Sequence, residues 1–285
     1  MTVLAQGAEK VRALELTLGG KPPEGAAEQS LLELKREIEK RMGRRNNHSA
    51  TLKSVYGRAA APFRELSKSD DEIARYLQER RSDLQRRERK LPRKTINRKI
   101  EPQMATGSSI WIKVPPYDMP LTVNYGSAEA FADVTSGNCQ AYTLGDGSGW
   151  GSAGLMVSFL ATEDNLNQRF AALVDYGYDW LDEAFFFTAH SDGNTSISVW
   201  GASENAWVAQ SGSLVPSWSD GAGWLDNHGD NGDGTESLQV FFPVQRNSWY
   251  FAWVRCDVSS DDTFPQSLGM AEIGLTIPFV VFGSL

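Results

Sequence analysis

Between Asp226 and Glu236 the chain reads Asp-Asn-His-Gly-Asp-Asn-Gly-Asp-Gly-Thr-Glu, an acidic run of loop-like composition. Ca2+ takes about six to eight oxygens from flexible segments. Asp226, Asp230, Asp233, Glu236 and nearby carbonyls could supply them. The EF-hand spacing is not met, because Gly232 falls where that frame needs an oxygen ligand. Asp and Asn mixed with Gly are also ordinary turn formers. A solvated turn is therefore the first expectation here, and a calcium site the alternative.

Trp150, Trp218 and Trp224 lie in segments rich in Gly, Ser and Asp rather than in apolar runs. An indole flanked by carboxylates and amides can stack on a sugar ring while its neighbours bind the hydroxyls. The same indoles could instead plug the open ends of a β-structure or pack on another subunit.

A third group is basic. Arg80, Arg81, Arg86, Arg87, Arg89, Lys90, Arg93 and Lys94 crowd one stretch, opposed only by Asp83 and Glu88. Three uses fit such a stretch: a solvated helix face, docking on an acidic protein surface, or phosphate binding. Base stacking is not suggested, since Tyr56, Phe63 and Tyr76 are the only aromatics in the first hundred residues.

Support for catalysis is thin. The imidazoles are His48, His190 and His228, and no Gly-x-Ser-x-Gly, His-Glu-x-x-His or P-loop motif occurs. A glycosidase needs only two carboxylates at a set separation, which a sequence cannot locate. Cys139 and Cys256 have no metal-site spacing and are expected as free thiols in a reducing compartment.

The elements that must hold these groups divide by charge. Residues 1–100 hold 24 of the 28 Lys and Arg against 14 acids, a balance of +10. The remainder holds 4 basic residues against 22 acids, a balance of −18, and all nine Trp. Phosphate binding by this acidic part is disfavoured.

The basic part has helical spacing. Val3, Leu4, Ala8, Val11, Leu14 and Leu18 trace one stripe, and Leu31, Leu34, Ile38 and Met42 trace another. Ser69-Asp-Asp-Glu72 is a capping box before Ile73, Leu77, Leu84 and Leu91. Two prolines and Gly107-Ser-Ser109 then break the pattern. We expect a helical arm over 1–104, a linker at about 91–108, and a head over 105–285.

The head reads as a dozen short apolar runs between Gly, Asp, Asn and Ser clusters. A hairpin is expected at His190-Ser-Asp-Gly-Asn-Thr195. Trp249–Val258 is apolar on both alternating faces and should be a central strand, with Arg255 meeting a carboxylate. The fold class is thus α+β by segregated domains: a basic helical segment, then an all-β antiparallel sandwich of jelly-roll type. In architecture alone, this order is similar to the plan of jelly-roll coat proteins.

The expected function is non-enzymatic: a coat, tube or filament subunit that forms homo-oligomers. The basic arm of one copy would dock on the acidic head of the next. The alternatives are a carbohydrate-binding module on a helical stalk, a nucleic-acid-packaging coat protein, and a glycoside-acting enzyme. No cofactor is expected beyond the calcium alternative. Met1–Glu9 lacks a signal-peptide pattern, and no apolar run is long enough to span a membrane. Synthesis in the cytoplasm follows, with release as part of an assembled particle.

Overall fold

Apolar alternation beyond residue 109 condenses into twelve antiparallel strands. The computed structural model describes residues 22–41, helical positions 71, 72, 75, 78, 79 and 82, and 110–284 without 145–147, 185–187, 212–213, 224–225 and 263–266. The strands are β1 (Ile110–Lys113), β2 (Met119–Tyr125), β3 (Ala128–Asp133), β4 (Asn138–Leu144), β5 (Gly149–Leu160) and β6 (Asn165–Ala184). They continue as β7 (Ala189–Gly201), β8 (Ala206–Gln210), β9 (Leu214–Ala222), β10 (Asp226–Val244), β11 (Trp249–Asp262) and β12 (Ser267–Ser284).

Two sheets pack face to face. One runs β10-β6-β12-β4-β3, with β1 pairing the far end of β12. The other runs β2-β5-β11-β7-β8, with β9 pairing another part of β7. Inner-face residues such as Phe170, Val174, Ile197, Phe242, Tyr250, Ala252, Ile273 and Phe282 form the core. Phe282 packs against Phe159 and Phe170 with ring centroids 4.3 and 4.7 Å away.

β11 is central, between β5 and β7, and buried on both faces from Tyr250 to Ser260. Its Arg255 donates from Nε to Ser196 Oγ at 2.8 Å, and its Nη1 lies 3.7 Å from Asp257 Oδ1. The apolar C-terminal strand β12 is covered inside its own sheet, between β6 on one side and β4 and β1 on the other. Cys139 and Cys256 are buried free thiols on facing sheets. Burial, and then the bond to Cys139, push the Cys256 thiol up.

Helix α1 (26–41) follows the turn at Gly25, whose φ of +77° suits glycine. Its acids and bases fall on outer positions, with Glu33 paired to Arg36 and Glu37 to Arg41. Its apolar stripe lies on the outer face of the β11 sheet. There Leu34 and Ile38 are buried against Leu121, Met156, Trp200, Phe251 and Trp253. Burying two such side chains contributes about 1.5–3 kcal/mol each. Trp253 Nε1 donates to Ser30 Oγ at 2.9 Å, Gln29 Nε2 to Asn205 Oδ1 at 2.6 Å and Gln210 Nε2 to Glu37 Oε2 at 3.1 Å. This part of the arm is therefore seated on its own head through apolar contacts.

Two expected turns are strand instead. The hairpin expected at His190–Thr195 is the first half of β7, held by β11 on one side and β9 on the other. The acidic run Asp226–Glu236 is the first half of β10, in unbroken register with Ala184–Val174 of β6. Ladder pairing overrides turn-forming composition in both places. Among the described residues, no helix is long and apolar enough to cross a membrane.

Candidate functional site

Among the described residues β10 is an edge strand, pairing with β6 alone. Leu238, Val240 and Phe242 are buried in the core. Side-chain alternation therefore puts Asp226, His228, Asp230, Gly232, Gly234 and Glu236 on the same inner side. Tyr176, Tyr178, Trp180 and Asp182 of β6 stand opposite, paired with Gly234, Gly232, Asp230 and His228. The core thus gives way toward this end of the edge to a strip of aromatic rings and carboxylates.

The glycines make room for the rings. A Cβ on Gly232 would fall 3.0 Å from the Tyr178 ring, and one on Gly234 would fall 2.6 Å from Tyr176 Oη. Tyr178 donates to Asp230 Oδ2 at 2.9 Å. That bond to a carboxylate is the main reason the Tyr178 hydroxyl is held above its ordinary value. Trp218 of β9 joins from the other sheet. Its ring centroid lies 5.7 Å from that of Tyr178 and 6.3 Å from that of Trp180. Its opposite face rests on Gly193, where a Cβ would fall 2.1 Å from the indole.

Carboxylates surround this ladder of rings. His228 Nε2 lies 3.0 Å from Asp226 Oδ2, and its Nδ1 lies 3.4 Å from Asp220 Oδ1. Asp182 is fully buried, accepts from Ser191 N and Oγ at 3.1 and 2.9 Å, and leaves Oδ1 without a partner. Burial raises its carboxyl to about 7, against the opposing pull of the Ser191 bonds. The Ser191 hydroxyl also accepts from Trp218 Nε1 at 3.2 Å.

The expected tryptophan set does not meet in one place. Trp218 faces the interior and closes this end of the sandwich. Trp150 pairs with Ser259, one residue out of phase with the Gly193–Trp218 row, so it lies on the outer face of the same sheet. There it joins the cluster under α1. Trp224 lies outside the described residues, as do Arg80, Arg81, Arg86, Arg87, Arg89, Lys90, Arg93 and Lys94.

The four acids of the calcium alternative are strung along an extended strand. At about 3.3 Å per residue, Asp226 and Asp230 stand about 13 Å apart and Asp230 and Glu236 about 20 Å. Asp233 points to the opposite face. Such a row does not converge on one ion, and no group of three or more His, Cys, Asp or Glu is placed to hold a metal among the described residues.

Sequence reasoning passed over Tyr176 and Tyr178, which meet Gly234 and Gly232 only through the β6–β10 register. The sequence reading that no Gly-x-Gly-x-x-Gly motif occurs is also corrected, since Gly149-Trp-Gly151-Ser-Ala-Gly154 has that spacing. That run lies within β5 rather than at a strand-to-helix turn, so it makes no phosphate cradle.

No protein-family model and no curated protein matches the chain. Among solved structures, it is similar to TmCBM61 in complex with β-1,4-galactotriose, at 10% identity and TM-score 0.20, over 59% of this chain and 90% of that one. A second is the enzymatically active domain of bacteriophage CBA120 tailspike protein 4, at 12% identity and TM-score 0.19, over 55% and 19%. A third is infectious bursal disease virus Gx strain, at 9% identity and TM-score 0.15, over 59% and 43%. Likeness this faint carries no argument about what the chain does.

Proposed function

We propose that the protein is a non-enzymatic, self-assembling subunit whose basic arm docks on the acidic head of a neighbouring copy. One observation carries the reading. Residues 170–245, which include β6 from Phe170 onward and β7 to β10, contain eleven acids and not one Lys or Arg.

The arm supplies the opposite charge. Residues 1–41 are balanced, with seven basic and seven acidic groups, so the whole +10 of the first hundred residues belongs to 42–99. Helix α1 needs no net charge to reach its seat on the head. The basic stretch 80–94 is then left as the natural partner for an acidic protein surface. Unlike patches on each copy give head-to-tail association, which builds rings or open filaments.

Strand order supports a jelly-roll reading. β4-β12-β6-β10 in one sheet and β5-β11-β7-β9 in the other leave β4, β5, β6 and β7 alternating between sheets, as two interlocked Greek keys require. That architecture serves capsid and lectin domains alike, so the function rests on the charge pattern and not on the fold. The sugar-binding alternative has its own observation, the Tyr176 and Tyr178 rings beside Asp230. Negative-stain microscopy at low ionic strength tests the assembly reading: rings, particles or filaments support it, and a field of single subunits rejects it.

A further inference from the structure

We infer that the receptor for the basic arm is the outer edge of β10, Asp226 to Glu236, backed by Tyr176, Tyr178 and Trp218, and that its occupant is the stretch Arg80–Lys94 of a second copy. This rests on the assembly reading and gives it an address.

The edge has the chemistry of a guanidinium and ammonium seat. Asp226, Asp230, Asp233 and Glu236 are all exposed, and no described strand pairs with the outer side of β10. Asp220 joins them from β9, 3.4 Å from His228. Behind this row the Tyr176 and Tyr178 rings are half-buried, with centroids 6.4 Å apart. Carboxylates beside aromatic rings favour an organic cation: the charge pairs with the acids, and the guanidinium plane stacks on a ring.

On one face of the strand Asp226, Asp230 and Glu236 recur at about 13 and 20 Å, from about 3.3 Å per residue. The sequence reads as helix up to about Leu91, which places Arg80 and Arg87 one heptad apart, at about 10.5 Å from 1.5 Å per residue. The edge is also a liability if left bare, because an unpaired strand invites pairing. Acids, Gly229, Gly232 and Gly234 blunt it against other strands while keeping it open to a basic helix.

The test uses two full-length variants and sedimentation velocity at low ionic strength. In the edge variant, D226N/D230N/D233N/E236Q, the acids are neutralised. In the arm variant, R86E/R87E/R89E, the basic stretch is reversed. Each alone should associate about tenfold more weakly than wild type, or less still. Mixed one to one they should form a heterodimer and stop there, because only one intact edge and one intact arm remain. An edge variant that assembles like wild type, beside an arm variant that does not, overturns this address and leaves self-assembly standing. A mixture that stays monomeric overturns it too, since an intact arm then fails to bind an intact edge. Wild type that never associates overturns both.

Carbodiimide coupling of wild-type protein, mixed from isotopically light and heavy pools, checks the address without any variant. Light-to-heavy links from Lys90 or Lys94 to Asp226, Asp230, Asp233 or Glu236 are expected. Links from those lysines to other carboxylates alone would overturn the proposal. So would a glycan-array signal that Tyr178→Ala abolishes while assembly is unchanged, which would give this edge to a sugar.

Discussion

Tyr178 reaches across the β6–β10 ladder to Asp230, two residues out of direct register, and gives its hydroxyl proton to Oδ2 at 2.9 Å. The reach is open because Gly232, its direct partner, has no side chain in the way. A carboxylate acceptor favours the neutral phenol, so tyrosinate formation is delayed. We expect Asp230→Asn to bring the Tyr178 ionisation down, read by tyrosinate absorbance during alkaline titration. Identical titration curves for the two proteins would dissolve the link.

Asp182 sets a pH dependence. Burial raises its carboxyl to about 7 in the fold, so the native protein binds this proton where the unfolded chain has released it. Its contribution is complete below the unfolded value, about 3.9. It is lost as pH climbs through about 7. Between pH 5 and pH 8 wild type should lose on the order of 1–4 kcal/mol more stability than Asp182→Asn. Asn keeps an acceptor for Ser191 and carries no charge. Parallel stability curves for the two proteins over that range would refute the assignment.

The seat of α1 can be tested apart from assembly. Ser30→Ala leaves the fully buried Trp253 without its acceptor and should cost about 1–3 kcal/mol. Leu34→Ala should cost about 2–5 kcal/mol through the cavity it opens. Urea unfolding followed by tryptophan fluorescence measures both. Wild-type midpoints would mean that the helix is not packed on this face.

Calcium should not matter to the acidic strand. Asp226, Asp230, Asp233 and Glu236 are fixed in line by pairing with Ala184, Trp180, Gly177 and Val174. Thermal melts with chelator and with millimolar Ca2+, on the order of the weakest extracellular sites, should superimpose. A rise of several degrees with Ca2+ would show ligands converging where the strand keeps them apart.

Legibility followed how far a segment's own residues decide its state. Leu31, Leu34 and Ile38 face one way by spacing alone, so α1 could be read. β11 could be read because Trp249–Val258 is apolar on both faces, whatever its neighbours. β9 and the polar halves of β6, β7 and β10 could not. Ser191-Asp-Gly-Asn is strand only because β11 and β9 flank it. Asp226–Glu236 is strand only because β6 extends alongside. The proposed docking edge was hidden for the same reason: its acids were visible, but Tyr176 and Tyr178 join them only through the register of that ladder.

Light scattering of purified protein across a salt series probes the account most directly. Surface ion pairs are screened when the Debye length falls from about 30 Å at 0.01 M to about 3 Å at 1 M salt. The account predicts large assemblies at low salt that dissociate toward single subunits as salt rises. A scattering mass of one subunit at every salt concentration, or an assembly indifferent to salt, would contradict it.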